Sequence, residues 1–302
     1  MKKIFFSFLV ILIMCGLLAC AKKEDVGDDP AQLTKDMEYT TAEEVNTYEK
    51  QEENMPISEV MDRIVSETGL DKAVPFENTI TLDIQDALIL LCSTEDGRYE
   101  AYGTFSKEYG TMGIILNNRI DGMDNTNYLE EAWDYSYVQP QIYEMEDGKV
   151  AFSFVTGSGT GISKEKLILF ETFDTGTMKP NELKDDVIKK QMDAQIDCQV
   201  DTKNKMVQIV EVMSEKNAPI ISIPYEDELE EDVTINSAFF SMDQVKYILG
   251  QKPLIIVGVA LDIEEYVSPV YVGEVTFQVD YYQDDNGDLN FILSNPIMGM
   301  DL

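Results

Sequence analysis

"EVTFQVDYY", residues 274–282, alternates apolar and polar side chains without a break. Val275, Phe277, Val279 and Tyr281 fall on one side of an extended chain, and Thr276, Gln278, Asp280 and Tyr282 on the other. A strand with one apolar and one wet face belongs to an antiparallel sheet, because parallel sheets are covered on both sides. Asp284–Asp288 follows, with Asn286-Gly287 inside it, and then the apolar run "LNFIL" at 289–293. Two such runs about an Asn-Gly step predict a hairpin.

The same pattern recurs along the chain. "ALILLCST" (87–94) passes through Glu95-Asp96-Gly97 into "YEAYGTFS" (99–106), where Tyr99, Ala101, Gly103 and Phe105 share a face. "TITLDI" (79–84), "TMGIIL" (111–116), "KVAFSFV" (149–155, after Asp147-Gly148) and "KLILFETF" (166–173) also read as strands. "QIDCQV" and "KMVQIVEV" flank a further turn at Asp201–Lys205. Helical spacing appears in "ISEVMDRIVSETG" (57–69), which lines up Ile57, Val60, Met61, Ile64 and Val65, with Ser58 as N-cap and Gly69 as stop. A second helix is predicted within 182–196, with Val187, Ile188, Met192 and Ile196 on its apolar side. Ser241 and Gln244 form a capping-box pattern ahead of Gly250 and Pro253, which predicts a third, short helix. The expected class is therefore α+β: mainly antiparallel sheets built of hairpins and meanders, with two or three helices packed on them. Helix-then-strands occurs twice, which reads as two α+β units, 55–178 and 179–302, or as one continuous domain.

The N-terminus carries a different signal. Lys2 and Lys3 precede an almost wholly apolar run, Ile4 to Leu18. As a helix it would rise about 22 Å, short of a hydrocarbon core of about 30 Å, and that length suits a secretory signal. The run ends Leu17-Leu18-Ala19-Cys20, which resembles the lipobox of bacterial lipoproteins. The resemblance implies that the Cys20 thiol receives a diacylglyceryl group and that a peptidase removes residues 1–19. Leu18 is larger than the residue most often found there. Two acyl chains hold a protein stably where one holds it marginally, each buried methylene contributing about 0.8 kcal/mol. The implied location is the outer, extracellular face of the cell membrane, with the membrane itself a partner through the lipid. Residues 21–54 are acidic and poor in large aliphatic side chains, too little apolar surface to offset the entropy of ordering. With Cys20 they are expected to form a solvated tether, spanning roughly 30–35 Å as a coil.

Composition removes several function classes. The chain has 57 acidic against 23 basic residues, a formal net charge of −34, and no histidine. A field of that sign repels phosphate backbones, so nucleic acid is not an expected partner. Without histidine there is no Ser-His-Asp or Cys-His nucleophile and no HExxH zinc helix. Cys92 and Cys198 are too few for a structural zinc site, and either pair with each other or stay as buried thiols. No motif implies a cofactor.

Three segments are candidate sites. "GSGTGISKEK" (157–166) has three alternating glycines and Lys164, but a phosphate loop needs glycines that open a helix, and here a strand follows. With the "LxxFE"-ending strand behind it, this stretch is loosely similar to segments of uncharacterised surface lipoproteins of gut-type Gram-positive bacteria, and to exported tails of their sensor-type membrane metallopeptidases. That resemblance implies no activity. "DDNGD" offers calcium Asp284, Asn286 and Asp288, an incomplete set, since an EF-hand needs glycine at its sixth position and Leu289 stands there. "YLEEAWDYSYVQPQIY" (128–143) holds the only tryptophan. Trp133, Tyr135 and Tyr137 would share one face of a strand: a stacking platform for a ligand if exposed, core if buried. The function expected is a non-enzymatic, lipid-anchored surface module, binding or accessory, with a protein or glycan partner. The alternative is a histidine-free hydrolase using carboxylates on envelope or dietary glycans. The two differ in whether carboxylates converge in a concave site.

Overall fold

A computed structural model describes residues 56–76, 86–134, 138–159, 162–213, 218–225, 229 and 233–298. Residues 55–302 cluster as one compact unit. The chain is β-rich, with two α-helices among the described residues: α1 (Ile57–Thr68) and α2 (Asp185–Gln195). Neither is long and apolar enough to cross a membrane. The expected strand at 79–84 lies outside the described residues.

Sixteen strands form three sheets among the described residues. The first sheet runs in chain order through β1 (Val74–Pro75), β2 (Ala87–Ser93), β3 (Tyr99–Ser106), β4 (Gly110–Ile120) and β5 (Met123–Leu129). All its pairs are antiparallel except β1 with β2. A larger sheet takes β6 (Gln141–Glu144), β7 (Val150–Gly159), β8 (Ile162–Thr172), β9 (Met178–Glu182), β13 (Ile235–Ile248), β14 (Leu254–Ile263), β15 (Val270–Gln283) and β16 (Leu289–Met298). A small antiparallel meander comprises β10 (Ile196–Asp201), β11 (Met206–Glu211) and β12 (Pro219–Pro224). Strands from both sides of residue 178 thus share the larger sheet.

The Asp-Gly and Asn-Gly steps sit where the hairpins turn. Gly97, Gly148 and Gly287 have φ of 68°, 80° and 80°, conformations that cost a side chain dearly. In β15 the alternation holds as read: Val275, Phe277 and Val279 are buried, and Gln278 and Asp280 reach solvent, although Thr276 is covered as well.

The layers follow from which faces are apolar. Ile89, Leu91, Tyr99, Ala101, Ile114 and Leu116 of the first sheet pack against Val150, Phe152, Phe154, Ile168 and Phe170 of the larger one. The opposite face of β7–β8, with Ala151, Leu167 and Leu169, joins β14–β16 in a core closed by Ile188 and Met192 of α2 and by Val207, Ile209, Ile221 and Ile223 of the meander. Helix α1 covers the outside of the first sheet, setting Val60, Met61 and Ile64 on Leu88, Tyr102, Met112 and Ile115. Fully burying one such side chain contributes about 1.5–3 kcal/mol. Strand β3 is therefore covered on both faces. Helix α1 starts after Pro56 with no side-chain cap, so Ser58 lies inside its first turn; Gly69 ends it, donating to Val65 O at 2.8 Å.

The third expected helix is absent. Residues 241–248 belong to β13, which pairs with β14 from Ile235 to Ile248 around a bulge between Ser241 and Val245. The hydroxyl that suggested a helix cap instead accepts the Asp243 N–H at 3.3 Å, within the bulge. Local side-chain bonding of this kind serves bulges as well as helix starts. Strand β14, buried from Ile255 to Leu261, requires a neighbour along its edge, and that demand overrides the cap signal.

Candidate functional site

Strand β1 pairs with β2 at only two positions, Val74 with Ile89 and Pro75 with Leu90. Proline has no N–H to continue a ladder. Beyond Leu90, β2 kinks at a bulge between Leu90 and Cys92. Across from it stands β6, the outermost strand of the larger sheet, which pairs with β7 on one side. Between them is a cleft of about 480 Å³. Pro75, Phe76, Leu90, Leu91, Pro140, Ile142 and Leu249 supply its apolar lining. Ser93, Gln139, Gln141 and Tyr143 bring neutral hydrogen-bonding groups.

The polar groups are partly engaged already. The Gln139 side-chain amide donates to Leu91 O at 3.4 Å, and the Tyr143 hydroxyl accepts from Gln251 Nε2 at 3.2 Å. Burial pushes the Cys92 thiol far above its ordinary pKa, so it is held protonated and is a poor nucleophile. Among the described residues no carboxylate or ammonium lines the cleft. The arrangement suits recognition of an uncharged surface by contact and amide hydrogen bonds.

The residues singled out from the sequence fall elsewhere. Cys20, Tyr135 and Tyr137 lie outside the described residues. Trp133 is 2% exposed, its indole lying over the backbone of Gly103, where an added Cβ would stand 2.5 Å from two ring carbons. It is core between the sheets, the buried one of the two arrangements open to it in the sequence. Of the acids near it, Glu131 pairs with Lys166 at 2.7 Å and Asp134 accepts from the Ser158 hydroxyl at 2.6 Å.

Asp284 organises its own turn. Its Oδ1 accepts the N–H groups of Asn286 at 2.9 Å and Asp288 at 3.0 Å, and its pKa is lowered mainly by the backbone bond from Asp288. Asp288 in turn pairs with Lys179 at 3.2 Å. Among the described residues no group of three Cys, Asp or Glu side chains is placed to hold a metal ion. Gly157 and Gly159 are strand residues of β7, and Lys164 pairs with Asp185 of α2. Cys92 and Cys198 are both free thiols, in β2 and β10.

Sequence reading missed the lining of the cleft. It is gathered from residues 75–76, 90–93, 139–143 and 249, and no spacing in the chain announces that set. The one local hint was "QPQ" at 139–141, two amides about a proline beside a strand. Comparison with protein-family models, with curated proteins and with solved structures finds no match to this chain.

Proposed function

We propose that this chain is a lipid-anchored protein of the outer membrane face whose folded part is a non-enzymatic binding module. Residues 2–20 support the address through their resemblance to lipoprotein signals, with Cys20 as the acylated residue. The observation that carries the binding reading is the cleft between β2 and β6. Its lining is apolar, amide and hydroxyl, and its thiol is held protonated. Such a site takes up an uncharged segment of a glycan or protein, and its described lining holds no proton carrier for hydrolysis. The tether 21–54 would hold that site clear of the lipid headgroups.

Two measurements test the proposal. Labelled palmitate should enter the native protein and be lost from Cys20→Ala, which should appear as soluble or uncut protein; equal labelling of both removes the anchor. Pure protein incubated with peptidoglycan or a dietary glycan should release no reducing ends. Release of reducing ends that persists through repurification would replace binding by the carboxylate hydrolase.

A further inference from the structure

Helix α2 ends at Gln195 and the chain enters β10 at Ile196 without a loop. Around this junction two adjoining clefts, of about 330 and 340 Å³, share Asp193, Ile196 and Asp197. Together they make a furrow past the end of the helix. One part is floored by Met192 and by the half-buried Phe239, Phe240 and Met242 of β13. The other reaches Val210 of β11 and Val212 just past its end. Val212 is 48% exposed and its neighbour Met213 89%, so apolar surface continues out of the furrow into solvent.

The rim is acidic. Asp193, Asp197 and Glu211 stand on it with one cation, Lys189, already bound to Asp193 at 3.2 Å. Among the described residues Asp197 accepts from the Gln199 amide, at 3.4 Å, and neither it nor Glu211 has an ion pair. Two carboxylates thus border an apolar furrow without a counter-charge among the described residues.

We propose that this furrow docks a cationic amphipathic peptide segment of a partner protein. Its apolar side chains would lie on the Met192, Phe240 and Met242 floor, and its Lys or Arg residues would meet Asp193, Asp197 and Glu211. Methionine suits such a floor because its unbranched side chain adapts to different occupants. Charge chooses this occupant over the others. An anionic segment, or a second copy of this chain with its net charge of −34, is repelled. A small cation alone leaves the apolar floor wet. The inference goes beyond the binding reading of the β2–β6 cleft, uses none of its residues, and holds whether or not Cys20 is acylated.

The test uses the chain from Cys20 onward, without lipid, which contains the whole compact unit 55–302. Fluorescence anisotropy follows a labelled amphipathic peptide of Leu and Lys, a Gly/Lys peptide of equal charge and a Leu/Glu peptide. Only the Leu/Lys peptide should bind well. Combining Asp193→Asn, Asp197→Asn and Glu211→Gln should weaken it about tenfold or more, since paired charges set both affinity and encounter. Removing three exposed acids elsewhere (Asp71→Asn, Asp121→Asn, Glu264→Gln) should change it less than about twofold. Val212→Asn, an exposed substitution, should weaken it without unfolding the chain. Three results overturn the proposal: no binding of the Leu/Lys peptide, equal binding of the Gly/Lys peptide, or equal weakening by the remote triple, which would leave only diffuse charge attraction.

Discussion

Replacing Glu165 tests how the larger sheet is joined. Strands β8 and β13 meet in parallel over just two residue pairs, Gln244 with Ser163 and Val245 with Lys164. Past that point the Glu165 carboxylate continues the junction, accepting the Tyr247 N–H at 2.9 Å. Glu165 is 7% exposed. Glu165→Ala orphans a buried backbone donor, at about 1–3 kcal/mol, and removes one methylene with the carboxylate, at about 0.8 kcal/mol. The expected loss is about 3 kcal/mol, or roughly 6–12 °C in Tm for a unit of this size. Glu165→Gln keeps an acceptor oxygen without charge. Burial raises the Glu165 pKa, opposed by the Tyr247 N–H and then by Lys246. A raised folded-state pKa contributes stability below the unfolded value, near 4.3, and loses it as pH rises through the folded value. The Gln variant does not titrate, so it should gain on the native chain as pH rises above the ordinary carboxylate range. At neutral pH it should stay within about 1 kcal/mol of native or exceed it. Urea unfolding read by Trp133 fluorescence and by circular dichroism, from acid to neutral pH, measures both variants. An Ala loss below about 0.5 kcal/mol would refute the junction, as surface-like substitutions behave so. A Gln variant that loses ground with rising pH would refute the sign.

Other substitutions probe the packing. Gly103→Ala places a methyl against the Trp133 ring, 2.5 Å from two of its carbons, and should cost about 1–3 kcal/mol with a red-shifted Trp emission as the indole is pushed toward water. Unchanged emission and stability would mean that the ring does not rest there. Cys92 and Cys198 should resist alkylation in the folded chain at mildly alkaline pH and react quickly in urea, because burial pushes the Cys198 thiol up to about 12 and Cys92 further. Rapid native-state labelling of either would contradict that burial. Gly113→Ala should loosen α1 through its clash with the Met61 sulfur, 2.4 Å from the added carbon, seen as faster amide exchange in Val60–Ile64.

Residues close in the chain decided much of this protein by themselves. The period-2 runs about Gly97, Gly148 and Gly287 specify hairpins, because an extended backbone alternates its faces and a tight reversal demands positive φ. The spacing of Val60, Met61 and Ile64 specifies a helix with one apolar face. The lack of histidine closes whole classes of catalysis before any folding. What the tertiary structure alone decided is where those faces go. Residues 241–248 carried a genuine cap-forming hydroxyl, yet β14 had backbone groups to satisfy, and the segment became a bulged strand whose Gln244 and Val245 join β8. Sequence offered Trp133 a platform or, more readily, a core, and Gly103, thirty residues earlier in the chain, leaves the space its ring fills. The cleft of Phe76, Leu91, Gln139 and Leu249 and the furrow of Asp193, Asp197 and Phe240 each exist only because distant strands end beside one another. Local sequence encodes periodicity and turns; burial and backbone pairing over long separations choose among the arrangements that periodicity allows.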